Sequence, residues 1–149
     1  MEDKIVEVFP IVSPYRFVDA IDSVSDAGIE GHYTFREDEY FYKGHFPGTP
    51  VTPGAILAEC MAQIGLLAYG MSLVWGHPKF ASLRFLLTSS DLKYRGIVLP
   101  GDTVTVRAEQ IYFRFRKLKC KARMEVPGKG TVCRGTLSGI LILPEDEHA

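Results

Sequence analysis

One long apolar segment constrains the fold of this chain more than any other feature. Residues 54–75 read GAILAECMAQIGLLAYGMSLVW and contain one charged side chain, Glu59, and one amide, Gln63. A helix that is apolar on all sides has to be surrounded, either by lipid or by the rest of the protein. The segment is long enough to span a membrane, but no cluster of Lys or Arg flanks it. We therefore predict the buried central helix of a globular domain and no membrane span.

The remaining sequence predicts strands that can enclose such a helix. Residues 117–126 alternate apolar and charged side chains, as expected for a half-buried strand, and 127–130 read as a hairpin turn. Pro10 and Pro14 interrupt any regular element near the start of the chain. An antiparallel sheet around one helix is an α+β arrangement, and 149 residues suit a single domain, 1–149. Strands are predicted over residues 16–24, 29–35, 80–87, 103–113, 117–126 and 131–143.

Composition narrows the range of functions. A formal net charge of -1 gives no overall field that would attract nucleic acid. The three cysteines lack metal-ligand spacing, so we expect reduced thiols and no metal site. The acidic residues that follow Met1 do not resemble a secretory signal. These features predict a cytoplasmic protein without nucleic-acid partners.

Glu59 is the first candidate for chemistry. It lies in the second turn of the predicted helix and has no neighbouring opposite charge in the sequence. Burying an unpaired carboxylate is costly, which favours a neutral acid that can donate a proton. The alternative is a carboxylate stabilised by the helix dipole, but that effect is strong only in the first turn. Gln63 lies one turn later on the same face and can orient Glu59 through a hydrogen bond.

His45 is the second candidate. It lies in GHFPGTPVTPG, residues 44–54, a stretch too rich in glycine and proline for a helix or a central strand. Rigid loops often carry catalytic groups, although a lone loop histidine is more commonly a surface residue. Thr52 and Pro53 predict the N-cap and first residue of the helix. The free N–H at Gly54 could stabilise an oxyanion.

Residues 44–65, GHFPGTPVTPGAILAECMAQIG, resemble the 3-hydroxyacyl-[acyl-carrier-protein] dehydratases of bacterial fatty acid synthesis. The family pattern runs G-H-F-P-G-x-P-x-M-P-G, with a carboxylate five residues after the last glycine and then a glutamine. The fourteen-residue spacing from His45 to Glu59 is that of the family. Weaker similarity extends the resemblance to about residues 14–143. The resemblance implies a hot-dog fold, in which a sheet wraps around a central helix.

The resemblance also implies a reaction: a 3-hydroxyacyl thioester loses water and becomes a trans-2-enoyl thioester, without a cofactor. His45 would take the α-proton and Glu59 would act on the β-hydroxyl. Gly54 would offer its N–H to the thioester carbonyl, Val51 would hold the His45 ring through its carbonyl, and Gln63 would orient Glu59. The thioester carrier would be acyl carrier protein or coenzyme A. Family members are dimers, or larger assemblies, whose sites join the histidine of one subunit to the carboxylate of the other.

Two departures from the family pattern concern the substrate. Thr52 stands where the family usually has methionine, and SPYRFVD at 13–19 lacks the common His-Arg-Tyr-Pro-Phe run. Both flank the acyl site in the family, and Thr52, Phe46 and Ala55 are the acyl-pocket candidates. Fatty acid synthesis and a related pathway, such as aryl polyene or dialkylresorcinol pigment synthesis, both remain open. Whether the enzyme also isomerises the double bond is a separate question; glutamate at position 59 is typical of the simple dehydratase branch.

Two other functions compete with dehydration. A hot-dog thioesterase also uses a carboxylate on the central helix, but it has no need of the loop histidine. A non-catalytic acyl-binding subunit has no need of the pair. Basic residues that could steer an acidic carrier protein are equally explained as a solvated strand face. They are Arg114, Arg116, Lys117, Lys119, Lys121 and Arg123 on two adjoining strands, with Arg84, Lys93 and Arg95 elsewhere.

Overall fold

Six antiparallel strands form one sheet that wraps around a single long helix. The computed structural model describes residues 1–144. The strands lie in the order β1-β2-β4-β5-β6-β3, so β1 and β3 are the two edges. Helix α1 spans Glu2–Glu7 and the central helix α2 spans Gly54–Leu73. The strands are β1 Ala20–Val24, β2 Gly28–Thr34, β3 Arg84–Tyr94, β4 Thr103–Arg114, β5 Lys117–Val126 and β6 Gly130–Ile142. This architecture confirms the α+β hot-dog prediction.

Small residues let α2 approach the sheet closely. A Cβ added at Gly65 would lie 3.2 Å from the Ala108 Cβ on β4, and one added at Gly31 on β2 would lie 3.1 Å from a methyl of Ile64. Helix and sheet therefore meet almost backbone to backbone, and the larger apolar side chains fill the space to either side. Fully buried members of this core include Phe17, Phe35, Met61, Ile64, Leu66, Leu67, Tyr69, Met71, Leu118 and Met124.

The central helix is long and apolar enough to cross a membrane by length and composition. Instead, 72% of the residues in its apolar 18-residue window are buried within the protein, under the curved sheet. In the middle of α2, residues Gln63–Ala68 form a π-helical segment between two α-helical ones. Wide π turns of this kind occur mostly as single insertions and often at functional sites. The apolar pattern of the sequence gives no sign of this change in helix type.

The predicted first strand, residues 16–24, is wrong over its first half: β1 begins only at Ala20. The backbone of Phe17 is bound elsewhere, because its N–H donates to the Gln63 side chain at 2.7 Å and its carbonyl accepts from the Cys60 thiol at 3.3 Å. The Phe17 N–H and carbonyl, which would pair with a neighbouring strand, therefore form hydrogen bonds with side chains of the central helix. An extended segment with apolar side chains need not be a strand when its polar backbone groups find other partners.

The predicted strand over residues 80–87 is also placed wrongly. Phe80–Ser82 form a 3₁₀ turn, and β3 runs from Arg84 to Tyr94. β3 lies at an edge of the sheet and is exposed at most positions, so its sequence does not alternate apolar and polar residues. For this reason the polar residues at 88–91 were not recognised as part of a strand.

Other boundaries differ by a few residues at most. Helix α1 was not expected beside two prolines, but it ends at Glu7, before Pro10. Helix α2 ends at Leu73 rather than near residue 75. The predicted strand over 131–143 is β6, and the polar tail after residue 144 lies outside the described residues.

Candidate active site

The glycine- and proline-rich loop has a defined path fixed by its own backbone. The Val51 N–H donates to the His45 carbonyl at 2.9 Å, and Phe46 and Thr49 exchange hydrogen bonds at 3.2 and 2.9 Å. The Thr52 N–H donates to the Val98 carbonyl at 2.9 Å, which ties the end of the loop to the segment before β4. The loop is therefore a scaffold for His45 and not a free surface connection.

The path of the loop determines which ring nitrogen of His45 is available to accept a proton. The ring Nδ1 lies 2.8 Å from the Val51 carbonyl oxygen. A carbonyl only accepts, so Nδ1 must carry the proton and donate, and in the neutral ring Nε2 keeps its lone pair. The His45 ring also stacks on the Phe46 ring, with centroids 4.1 Å apart. The ring is thus held on two sides with Nε2 left as a base.

Thr52 does not cap the helix as the sequence suggested. Helix α2 has Pro53 at its N-cap position, without a side-chain hydrogen bond. The Thr52 hydroxyl lies 2.6 Å from the Tyr42 hydroxyl, and Thr52 is only 4% exposed. The threonine therefore anchors the loop to the 3₁₀ turn Tyr40–Lys43. Of the other acyl-pocket candidates, Phe46 and Ala55 are both exposed; the role of all three in substrate binding stays a prediction.

The absence of a cap leaves the first N–H groups of α2 available. Ile56 and Leu57 are the first residues to donate to the Pro53 carbonyl, so Gly54 lies before the first helical hydrogen bond. The Tyr94 ring at the end of β3 covers this position: a Cβ added at Gly54 would lie 3.3 Å from the Tyr94 ring. Glycine at position 54 therefore keeps a narrow space between the helix start and the tyrosine ring.

Glu59 is held by a buried amide. The Gln63 Nε2 donates to Glu59 Oε2 at 3.0 Å and to the Tyr15 carbonyl at 2.7 Å. The Gln63 Oε1 accepts from the Phe17 N–H at 2.7 Å, and Gln63 is 1% exposed. All of its hydrogen-bonding groups are used, and their partners fix which end of the amide is oxygen. Glu59 Oε2 is thus an acceptor, and Oε1 remains for a proton and for a ligand.

The three cysteine thiols are not candidates for nucleophiles. Cys60, Cys120 and Cys133 are buried and unpaired. Burial raises the pKa of the Cys133 thiol to about 11 and that of Cys120 to about 12, and it raises the pKa of Cys60 further. These groups stay protonated at neutral pH, so none supplies a thiolate. Within residues 1–144, no group of three or more His, Cys, Asp or Glu side chains is arranged to hold a metal ion.

The two candidate residues belong to separate clusters. Within residues 1–144 no hydrogen bond or ion pair joins His45 to Glu59. His45 belongs to the loop, and Glu59 belongs to the cluster of Gln63 and the Tyr15–Phe17 segment. The departure from the family pattern at 13–19 had placed this segment beside the acyl site, but its hydrogen bonds with Gln63 were not predicted.

Comparisons with known proteins agree with this fold. A sheet wrapped around one helix defines the class of hot-dog proteins, and solved structures of this class resemble the chain. The dehydratase heterocomplex ApeI:P from Xenorhabdus doucetiae matches with a TM-score of 0.75 at 12% identity, covering 97% of this chain and 94% of that one. The fluoroacetyl-CoA thioesterase FlK matches with a TM-score of 0.61 at 16% identity, covering 85% and 94%.

Comparison of the sequence with known proteins shows the family. The model of the FabA-like domain matches residues 12–133. The 3-hydroxyacyl-[acyl-carrier-protein] dehydratase FabZ of Caldicellulosiruptor bescii is 33% identical over 138 residues, which cover 91% of this chain and 94% of that protein. The chain belongs to the FabA-like family.

The buried amide gives a test of how the site is built. Gln63→Leu removes three hydrogen bonds and leaves the Phe17 N–H and the Tyr15 carbonyl without partners. We expect it to lower the free energy of unfolding by about 2–4 kcal/mol, measured by urea denaturation. The matched control is Gln110→Leu: Gln110 is exposed and its side chain accepts one hydrogen bond, from the Tyr69 hydroxyl at 3.1 Å. That hydroxyl also has the Asp26 carbonyl as a partner at 2.7 Å, so the control should lose less than about 1 kcal/mol. Equal stability of the two variants would show that the amide is not a structural tie.

Proposed function

We propose that this chain dehydrates 3-hydroxyacyl thioesters of acyl carrier protein to trans-2-enoyl thioesters. The observation that carries the proposal is the hydrogen bond from His45 Nδ1 to the Val51 carbonyl, which leaves Nε2 as a base. The second support is Glu59: Gln63 orients it through Oε2, and within residues 1–144 Oε1 has no hydrogen-bond partner. A curated relative with this activity aligns along nearly the whole chain.

The proposed chemistry is a balanced elimination. The α-C–H bond breaks as its proton moves to His45 Nε2, and its electron pair forms the new double bond as the bond from the β-carbon to oxygen breaks. Hydroxide is a poor leaving group, so Glu59 Oε1 protonates it and water leaves. The Gly54 N–H would stabilise the negative charge that develops on the thioester oxygen. Solvent then returns the proton from His45 to Glu59.

A thioesterase is the second candidate, since the thioesterase FlK shares the fold. That likeness, at 16% identity, concerns the fold alone. A water-activating carboxylate has no use for a histidine whose tautomer is fixed for proton abstraction. The ordered loop around His45 therefore favours dehydration.

Loss of either acid–base group should abolish most of the activity. We expect His45→Ala and Glu59→Gln each to slow hydration of a 2-enoyl thioester, the reverse reaction, by about 10² or more. Dehydration should fall in parallel because both directions share one transition state. The measurement is steady-state loss of enoyl absorbance.

Circular dichroism and thermal unfolding provide the folding control for these variants. A folded Glu59→Gln protein that hydrates enoyl thioester at the wild-type rate would remove the acid assignment. Release of free thiol by the wild-type protein, with no hydration, would favour the thioesterase.

We further propose a homodimer joined along β3. This strand is an edge of the sheet, so its outer side has no strand partner in the chain. Exposed apolar side chains lie on β3 and on the segment that follows it: Leu86, Leu87, Tyr94, Ile97 and Leu99. An unpaired apolar edge of 11 residues favours pairing with a second copy. Such pairing would place another subunit beside the helix start that Tyr94 covers.

A dimer with shared sites can be tested by complementation. If His45 of one subunit works with Glu59 of the other, a heterodimer of His45→Ala and Glu59→Gln chains has one intact site. Mixing the inactive proteins under exchange conditions should then restore up to about one quarter of wild-type activity, since half of the dimers carry one working site of two. A monomer in sedimentation equilibrium at working concentrations, with full activity, would contradict this proposal.

The carrier protein would bind a basic row on the outer face of the sheet. Strand register places Lys93, Arg134, Arg123 and Arg107 directly opposite one another on β3, β6, β5 and β4. Like charges in such positions are destabilising unless they are neutralised. Arg107 contacts Glu30 and Glu125 at 2.9 and 2.8 Å, and Arg123 lies 3.3 Å from Glu125.

Lys93 and Arg134 have no acidic partner within 4 Å in the part of the chain that the structure describes. They line a surface cavity with Gly135 and Thr136, which Asp91 also borders. Lys93 precedes Tyr94, the residue that covers Gly54, so this end of the row lies next to the proposed site. An acidic carrier bound there would have a short path to the helix start.

Charge-reversal variants test whether this surface binds the carrier protein or is only a solvated strand face. Lys93→Glu with Arg134→Glu should raise KM for an acyl carrier protein substrate by about tenfold or more, with kcat little changed. KM for a small enoyl thioester without a carrier should not change. The matched pair Lys117→Glu with Lys119→Glu tests the other end of β5. A loss confined to that pair would place docking at the β4–β5 hairpin, and no loss in either pair would support the solvated-face interpretation.

Substrate and location complete the proposal. Thr52, Phe46 and Ala55, with the 13–18 segment, are proposed to shape the acyl pocket. We propose a single domain that acts in the cytoplasm, as its buried central helix allows. Both fatty acid synthesis and a related polyene or pigment pathway are compatible with these residues.

A further inference from the structure

A single peptide unit holds the ring of the proposed base. The Val51 carbonyl accepts from His45 Nδ1 at 2.8 Å, and the Thr52 N–H, on the other side of the same peptide bond, donates to the Val98 carbonyl at 2.9 Å. A peptide unit is planar, so its carbonyl and its N–H rotate together. The contacts that hold Thr52 therefore also determine the direction of the carbonyl that faces His45.

The Thr52 side chain makes a further contact inside the protein. Its hydroxyl lies 2.6 Å from the Tyr42 hydroxyl, and both residues are buried. A buried hydroxyl without a partner is costly, so each of these two groups depends on the other. Threonine stands here in place of the methionine that the family usually has, and methionine carries no hydroxyl. The hydroxyl pair is thus an addition to the family's loop pattern.

Tyr42 is itself held firmly. Its N–H donates to the Glu39 carbonyl at 3.2 Å within the 3₁₀ turn Tyr40–Lys43. The Glu39 carboxylate accepts from the Tyr33 hydroxyl, which ties this turn to strand β2. Burial raises the pKa of Tyr42 to about 12, so its hydroxyl stays protonated at neutral pH. Tyr42 therefore offers Thr52 a neutral partner that is anchored to the sheet.

We propose that Tyr42 is a positioning residue that acts through Thr52 to keep the Val51 carbonyl directed at His45 Nδ1. This inference rests on the proposed function, because it assigns the hydroxyl pair to the base of that reaction. Proton abstraction requires an unprotonated Nε2, and an acceptor at Nδ1 favours the neutral tautomer that provides it. If the peptide unit rotates, Nδ1 loses its acceptor and the tautomer protonated at Nε2 competes.

Tyr42→Phe and Thr52→Val each remove one hydroxyl with little change of shape. We expect each variant to lower kcat about tenfold, because the base is displaced or in the wrong tautomer, with KM changed less than about threefold. Each leaves the other hydroxyl buried and unpaired, so each should also have a lower Tm. Thr52→Ser keeps a hydroxyl and should have a kcat within about twofold of wild type. A kcat for Thr52→Ser as low as that of Thr52→Val would overturn the proposal.

The double variant, Tyr42→Phe with Thr52→Val, separates positioning from stability. It leaves no unpaired hydroxyl, so its Tm should return towards the wild-type value. Its kcat should stay as low as in the single variants, because the peptide unit still lacks its contact with Tyr42. Recovery of kcat together with Tm would show that the pair contributes only to stability, and it would overturn the proposal.

Tyr69→Phe is the matched control. Tyr69 is also buried, and its hydroxyl donates to the Asp26 carbonyl at 2.7 Å and to the Gln110 side chain at 3.1 Å. Within residues 1–144 no hydrogen bond of this hydroxyl reaches the loop around His45. Its loss should lower Tm and leave kcat at the wild-type value. A fall in kcat equal to that of Tyr42→Phe would overturn the proposal.

A readout without catalysis tests the position of His45 directly. In protein labelled with 15N at histidine, long-range proton–nitrogen correlation spectra identify the tautomer of each ring, and the His45 signals are those missing from His45→Ala. Wild type and Tyr69→Phe should show His45 protonated at Nδ1. Tyr42→Phe and the double variant should show a measurable share protonated at Nε2. An unchanged His45 spectrum in both of these variants would overturn the proposal.

The same measurements distinguish this inference from the proposed function. If wild type and Tyr42→Phe have the same rate and the same His45 spectrum while His45→Ala is inactive, the positioning role fails and the proposed function stands. If the His45 tautomer changes as expected but wild type does not hydrate enoyl thioester, the proposed function fails while the hydroxyl pair still determines the state of His45.

Discussion

A buried glutamine is the constraint on which the site depends. Gln63 lies in the most apolar part of the chain, where an unmade hydrogen bond costs about 1–3 kcal/mol. The side-chain amide of Gln63 forms hydrogen bonds with the Phe17 N–H, the Tyr15 carbonyl and the Glu59 carboxylate. The segment before β1 must therefore cross the central helix next to Glu59. The Gln63 amide thus sets the path of the chain before β1 and orients Glu59, the candidate acid. It also explains why β1 begins only at Ala20.

His45, the proposed base, is held in place by different contacts. The His45 ring is held by a backbone carbonyl of its own loop, and the loop is held by backbone hydrogen bonds and by the buried Thr52 hydroxyl. Backbone acceptors suit a group that must keep one tautomer, because a carbonyl cannot exchange roles with the ring. A side-chain partner, the Gln63 amide, suits Glu59, because the proposed reaction requires this carboxyl to be stable in two protonation states. Each partner type matches the proton transfer that its residue is proposed to perform.

The sequence predicted features that follow from one local pattern and missed those that depend on packing. An apolar run with a single carboxylate indicated the central helix, and a four-residue spacing was enough to place Gln63 beside Glu59. The π-helical segment Gln63–Ala68, by contrast, leaves no mark in the apolar pattern of the sequence. The part of β3 after residue 87 was not predicted, because an exposed edge strand has no reason to alternate apolar and polar residues. The contacts of the Tyr15–Phe17 segment with Gln63 could not be found from spacing, since these hydrogen bonds span 46 and 48 residues of sequence.

The exposure of the site also explains why a second subunit would matter. In the single chain Glu59 is half-buried and Tyr15 is open to solvent, and water weakens interactions between charges and hydrogen-bond donors. Elimination needs the opposite condition, because a developing charge is best stabilised where water is excluded. The exposed apolar residues on β3 and after it lie on the same edge as Tyr94, which covers Gly54. A second copy covering that edge would bury apolar surface and also exclude water from the start of α2. Dimer formation would then create the catalytic environment.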